Sequence, residues 1–327
     1  MPRVVVRSAR RIPAALIFAA CASVAPVHAQ APAAGQPGTK WSEAEIRQAL
    51  AGVRAGRALT PKQWPNGAKV AVCISFDVDN ETWDLSRGAT APVSLSAGEY
   101  GAKSAMPRVL ALLDRHKIPG SFYIPAVAAM LEPSMIEAIK KPGHHEIAVH
   151  GWIHENLAAL DDAAEEERLL TQSIDYLTKI TGHRPKGHRA PSWAFSRHTL
   201  PLLLKHGFTY DSSMMAMDEP YEIERDGKPT GLVELPVEWI LDDAPYFGRA
   251  GALPSPEMIF RVYQDEFDLA YQDGTMFMLT LHPQVIGHRS RINHLDKLIA
   301  HIKSKPGVWF ATAEQIAEYV KKSGTSH

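Results

Sequence analysis

Cysteine is nearly absent: Cys21 and Cys73 are the two in 327 residues. That excludes a disulfide framework. Cys73 lies inside the apolar run Val70-Ala71-Val72-Cys73-Ile74 and reads as a small core residue rather than a nucleophile. Net charge is absent too, with 35 Lys and Arg against 36 Asp and Glu. A chain so balanced lacks the basic footprint of a nucleic-acid binder. There is no GxGxxG and no P-loop, so a nucleotide-binding fold has no local support. Beyond the first 29 residues no apolar run is long enough to span a bilayer. What remains, 45% hydrophobic and 22% charged residues, is the composition of a globular protein with one sizeable core.

The N-terminus reads as an address. Arg3, Arg7, Arg10 and Arg11 precede a mostly apolar stretch from Pro13 to Val27, and Val27-His28-Ala29 is a small-x-small cleavage site. Residues 1–29 are therefore expected to be an export signal, with Gln30 the first mature residue and a periplasmic or secreted destination. Ala19-Ala20-Cys21 is a loose lipobox, which leaves a lipid anchor on Cys21 as a second reading, and Arg10-Arg11 is a poor twin-arginine match. Residues 30–61 are expected to be a flexible leader followed by a helix. Ser42 with Glu45 forms a capping box, Trp41 staples to Ile46, and the helix is expected to run to about Arg57 as a brace outside the main fold.

From residue 62 to 322 the pattern alternates. Lys69 to Phe76 is continuously apolar, as in a strand buried on both faces. Further strands are expected at Ser121–Ile124, Glu146–Val149, near Lys186–His188, and at Thr209–Ser212, Val233–Trp239, Met276–Leu281 and Val308–Ala311. Helices with apolar stripes fall between them, among them Asp162–Ile180 and Pro256–Gln272; residues 214–230 read as loop. Strands alternating with helices predict a parallel sheet with crossover helices. The length and regularity favour a barrel, where chemistry gathers at the strand ends.

Reactive side chains occupy those ends. Asp77 and Asp79 close the first strand, His150 and His154 follow the Glu146 strand, Arg189 follows His188, and His282 follows Leu281. Two imidazoles four residues apart share a face where the chain is helical, and that spacing suits one metal ion with Zn–N of about 2.0–2.1 Å. Taken singly, each has a plainer reading. The aspartates suit turns or caps, Arg189 a structural ion pair, and His282 a strand end before Pro283. Trp152, Pro191, Trp193, Trp239, Tyr246 and Phe247 lie near these positions; the aromatic ones suit a stacking wall or core packing equally.

Ser75-Phe76-Asp77-Val78-Asp79, His150-Gly151-Trp152-Ile153-His154-Glu155-Asn156, Arg189-Ala190-Pro191-Ser192-Trp193 and Leu281-His282-Pro283 occur in that order. Their order resembles the polysaccharide deacetylase (NodB-homology, carbohydrate esterase 4-like) family. Trp239 to Phe247 resembles a segment of the branch that holds a peptidoglycan deacetylase and the metal-independent allantoinases. The resemblance covers roughly residues 62–320. It implies a distorted (β/α)7 barrel and hydrolysis of a non-peptide C–N amide bond. It implies Asp79, His150 and His154 as ligands of one divalent metal, with zinc first and cobalt, nickel or iron as alternatives. It implies Asp77 as general base held by Arg189, and His282 as general acid oriented by Asp242 or Asp243. Asp-Val-Asp in place of Asp-Asp is a habit of that branch, and His154, lost in the allantoinase-like members, is present here. Homo-oligomers are implied by the branch as well.

Three functions follow. The first is an exported metal-dependent deacetylase of N-acetylated glycan. The second is a hydrolase of a small amide or cyclic imide, which a pocket closed by residues 84–104 or by a neighbouring subunit would favour over an open groove. The third is a glycan-binding protein without catalysis, against which the complete set of acid, base and ligands argues.

Overall fold

A computed structural model describes residues 37–248 and 254–324. The expected export signal over 1–29, the Cys21 alternative and the start of the leader lie outside the described residues. The strands are β1 (Val53–Ala58), β2 (Val70–Asp77), β3 (Ser121–Ile124), β4 (Glu146–Val149), β5 (Gly187–His188), β6 (Tyr210–Asp211), β7 (Tyr221–Arg225), β8 (Lys228–Glu234), β9 (Met276–Leu281) and β10 (Val308–Phe310). Seven of them pair in parallel in the order β9-β2-β3-β4-β5-β6-β8. The sheet curls until Asp242, beyond β8, forms a single parallel bridge to Thr280 of β9. The result is an α/β fold whose sheet is a curled half-barrel, in line with the distorted barrel that the family resemblance implied.

β2 is the axis of the sheet, and all eight of its residues are buried. β9 takes one edge over Ala71–Phe76. The other edge is shared, with β10 along Val70–Val72 and β3 along Ser75–Asp77. Side chains alternate across it as strand geometry requires. Val70, Val72, Ile74, Phe76 and then Val78 pack into the layer under the helices, whereas Ala71 and Cys73 belong to the barrel interior with Tyr123, Ala148, Tyr210 and Met278. The final helix, Ala313–Gly324, supplies Ile316, Ala317 and Val320 to that interior. Cys73 is fully buried, and burial pushes its thiol up to about 12, which suits a core residue.

Three local expectations give way, the first being the strand expected at Val233–Trp239, which starts earlier, at Lys228, and ends at Glu234. The helix starting after Ser42 does have its capping box, but it ends at Leu50 instead of running to Arg57. Gly52, at φ +98°, turns the chain into β1, whose partner is β7. Residues 221–230 are an antiparallel hairpin and not a loop, β7 and β8 being joined through Asp226 and Gly227, both at positive φ. Such turns match the twist of hairpin strands. The helix Glu43–Leu50 has no buried residue. Among the described residues no helix is long and apolar enough to cross a membrane.

A buried polar row crosses β5, β6 and β8, where His188, Asp211 and Glu234 are register partners. His188 Nδ1 lies 2.6 Å from Asp211 Oδ1, and Glu234 Oε1 accepts from the Ser213 and Met214 amides at 2.7 and 2.8 Å. The other oxygens, Asp211 Oδ2 and Glu234 Oε2, are buried without a hydrogen-bond donor. Burial, reinforced by the Asp211 charge, pushes the Glu234 carboxyl well above its ordinary value of 4.5. The folded state therefore holds a proton that the unfolded chain releases above that value. Stability from this carboxyl is complete below the ordinary value and is lost as pH rises toward the folded one, with a slope of about 1.4 kcal/mol per pH unit. Glu234→Gln keeps the Oε1 acceptor and supplies the missing donor. Urea unfolding across this range is expected to lose one proton's worth of slope in the variant; an unchanged slope would mean that the Glu234 carboxyl is not raised in the folded protein.

Candidate active site

Asp77 ends β2 on its inward face, and the alternation continues one step further. Val78 donates its amide to Tyr123 carbonyl at 2.8 Å and packs outward, so Asp79 again points inward. Asp-x-Asp spacing thus puts two carboxylates on one face of the strand end. The chain then turns, with Thr82 donating both its amide (2.9 Å) and its hydroxyl (2.6 Å) to the Asp79 carbonyl.

His150 follows β4 directly. His154 reaches the same place through a tight loop, not through the helical turn that the spacing suggests. Gly151 has φ +74°, where a Cβ would stand 2.8 Å from Pro191 Cγ, and His154 itself has φ +62°. The Glu155 carboxylate holds the loop, accepting from the amides of Trp152 (3.0 Å) and Ile153 (2.8 Å). Glu155 has no place in the sequence reading, because its role is visible only once the loop is closed.

Asp79, His150 and His154 are buried, with one donor atom from each within 4.8 Å of the others. Asp79 Oδ1 lies 3.4 Å from His150 Nε2 and 3.6 Å from His154 Nε2. His150 Nδ1–H donates to the Arg189 carbonyl at 2.8 Å. A carbonyl can only accept, so in the neutral ring Nε2 keeps its lone pair, facing the cluster. Asp79 Oδ1 is buried and has no hydrogen-bond donor. Two imidazole nitrogens and one orphaned carboxylate oxygen converging in this way fit a divalent ion. Burial would raise the Asp79 carboxyl, but the imidazoles of His154, His150 and His282 outweigh it and hold it below the ordinary range. Burial brings His154 down to about 4. At His150 burial is outweighed by the charges of Asp77 and Asp79, and the imidazole is raised.

Arg189, fully buried just past β5, is saturated with partners. It donates to Asp77 Oδ1 (2.6 Å), Ser75 Oγ (3.1 Å), the Ser212 carbonyl (3.0 Å) and Ser212 Oγ (2.9 Å), and its guanidinium lies 3.8 Å over the Tyr123 ring. Tyr123 is braced in turn, through Tyr210 (3.1 Å), by Glu146 at the start of β4. Asp77 Oδ2 is thereby left toward His150 Nε2, at 3.8 Å.

On the opposite side, His282 follows β9. Asp243 accepts from both its backbone amide (3.0 Å) and its Nδ1–H (2.8 Å). Asp242 is 3.5 Å from the same nitrogen and accepts instead from the Ala244 amide at 2.9 Å. Of the two adjacent acids, Asp243 orients the ring. His282 Nε2 points back to Asp79 Oδ2 at 3.7 Å. Burial alone would lower the His282 imidazole, but Asp242, Asp243 and Asp79 raise it well above its ordinary value. Burial raises Asp242 to about 7, and Asp243 is raised for the same reason.

The aromatic residues separate. Trp152 packs against the core near Tyr176, and Phe247 is buried under the Arg291 guanidinium. Tyr246 is half-buried beside Tyr263. Pro191 and Trp193 are buried, and Trp193 backs Trp239, 4.2 Å away and 41% exposed. The sequence reading omits Trp83, whose exposed ring lies 5.1 Å from that of His154. Residues 92–105 lie beside this region, where Gly98 and Gly101 leave no room for a Cβ against Asn80 and Glu81.

The curled half-barrel sheet matches NodB-type deacetylase structures, and the chain belongs to the polysaccharide deacetylase family, hydrolases of C–N bonds other than peptide bonds. Residues 93–210 match the family model described as polysaccharide deacetylase. The chain is 32% identical over 282 residues to the peptidoglycan deacetylase of Helicobacter pylori, a match covering 76% of this chain and 96% of the relative. A solved Mycobacterium smegmatis structure assigned to the polysaccharide deacetylases superposes with a TM-score of 0.76 at 35% identity, over 83% of this chain and 96% of that one. The crystal structure of the allantoinase PuuE superposes with a TM-score of 0.70 at 25% identity, over 81% and 93% of the two chains.

Proposed function

We propose that this chain is an exported, metal-dependent deacetylase of N-acetylated glycan, releasing acetate and leaving a free amine on the sugar. The observation that carries the reading is the placement of Asp77 and His282 on either side of the Asp79, His150 and His154 cluster, each tied at one end and open at the other. A divalent ion held by those three residues supplies Lewis acidity toward a water and an acyl oxygen. Zinc suits one carboxylate and two imidazoles, and cobalt, nickel and iron suit them as well.

The chain's own groups account for the protons. Asp77 Oδ2 takes one from water, while Arg189 keeps Oδ1 fixed. The water oxygen bonds to the acyl carbon. The C–N bond then breaks as His282 Nε2–H gives its proton to the departing nitrogen, and Asp243 at Nδ1 stabilises the imidazolium beforehand. The exposed Trp239, backed by Trp193, offers a face on which a sugar ring can stack. Support for glycan comes from the named activity of the Helicobacter pylori relative, and support for export from the basic and apolar segment over residues 1–29.

The likeness to an allantoinase favours a second reading, hydrolysis of a small amide or cyclic imide. The two are separated by acetate release from N-acetylglucosamine oligomers. Zinc-loaded protein is expected to release acetate, to lose at least about 100-fold of that rate when stripped by chelator, and to regain it on adding zinc. No acetate from a protein that binds one metal per chain would move the assignment to the small-amide reading. Recovery of the mature protein from the periplasm with Gln30 at its N-terminus would test export.

A further inference from the structure

The two imidazoles of the cluster are held in different ways. His150 is fixed by its Nδ1–H bond to the Arg189 carbonyl. His154 has no such bond; its Nδ1 is buried without a partner. A ligand histidine usually passes its second N–H to a carboxylate, a carbonyl or a water, and that bond sets the plane of the ring. His154 also sits on left-handed backbone in a loop, so no regular element limits its side chain.

What stands beside the ring is Trp83, with centroids 5.1 Å apart and planes tilted by 58°. Trp83 is itself clamped. The Arg87 guanidinium lies 3.8 Å over the indole, and Arg87 Nη1 donates to the Trp83 carbonyl. The turn that carries Trp83 starts from Asp79, whose carbonyl accepts both bonds from Thr82. One short segment thus supplies a carboxylate to the cluster and the wall against which one of its imidazoles rests. An indole that is 38% exposed, on a surface turn, contributes little to the core.

We propose that Trp83, backed by Arg87, is a positioning residue for the metal cluster: its ring holds the His154 imidazole by packing, in place of the hydrogen bond that His154 lacks, and the affinity for the metal depends on that contact. The inference rests on the metal reading of the cluster given above.

The test is a zinc titration of metal-free full-length protein against a chromophoric chelator, with the melting temperature of each metal-free variant measured alongside. Trp83→Ala is expected to weaken zinc binding by about 10–100-fold, the usual cost of losing a ligand's outer support, and to leave the metal-free melting temperature unchanged. Trp83→Phe, which keeps a ring at the contact, is expected to restore most of the affinity. Arg87→Gln removes the clamp and leaves the indole, and a loss smaller than that of Trp83→Ala is expected. Zinc binding by Trp83→Ala within threefold of wild type overturns the proposal. If Trp83→Ala melts early in the metal-free state, the Arg87→Gln result decides, and wild-type affinity there overturns it. A wild-type protein that binds no zinc at all would instead remove the metal reading.

Discussion

Asp77→Asn is expected to lower kcat on N-acetylated glycan by about 10²–10⁴-fold, the usual worth of a positioned proton acceptor, while one metal per chain stays bound. Asn keeps the size of Asp and can still offer Oδ1 to the Arg189 Nη1–H that now lies 2.6 Å from it. It cannot take a proton. None of the three cluster residues, Asp79, His150 and His154, is altered. The measurement pairs acetate release with metal content on the same sample. Activity within tenfold of wild type would remove Asp77 from the role of base. Loss of the metal together with the activity would instead place Asp77 among the ligands.

Arg189→Met is expected to destabilise the protein by about 3–5 kcal/mol, the cost of leaving one member of a buried ion pair alone. The guanidinium is wholly inaccessible and serves Asp77, Ser75 and Ser212 at once while resting on Tyr123. Met fills much of the volume but leaves the Asp77 carboxylate buried without its counter-charge. Lysine is no remedy, because a single ammonium cannot reproduce a planar fork that meets acceptors on two sides. Urea unfolding measures the effect. Adding Asp77→Asn to Arg189→Met is expected to recover part of the loss, since the stranded charge is then gone. A single-variant cost under 1 kcal/mol would mean that the folded protein does not depend on the Arg189–Asp77 ion pair.

How much of this was legible beforehand varies element by element. β2 and β9 are read directly from continuous apolar runs, because a strand covered on both faces needs no polar alternation. The bounds of β3 and β4 coincide with the expected ones. The β7–β8 hairpin is missed although Asp226-Gly227 is a recognised turn signal; the flanking run Tyr221–Arg225 is too charged to stand out. The first helix is overextended because Arg54 and Arg57 suit a helix as well as an exposed strand, and it is Gly52 that breaks it. The histidine pair is found for a reason that does not hold. Its spacing of four is that of a helical face, yet the residues lie on a loop that Gly151 and Glu155 close.

By itself the amino-acid sequence determined which side chains stand at which strand ends. Those positions follow from local rules, namely the period of two along a strand and the polar break after an apolar run. It thereby determined that Asp77 and Asp79 share a face. Only the tertiary structure decided that Asp243 and not Asp242 orients His282, that Asp77 gives one oxygen to Arg189 and keeps the other free, and that Trp83 backs His154. Each of these depends on the curl that brings the segment after β8 to the edge of β9 and the turn after β2 against the loop after β4. That curl is set by packing among residues far apart in the chain, which no local period records.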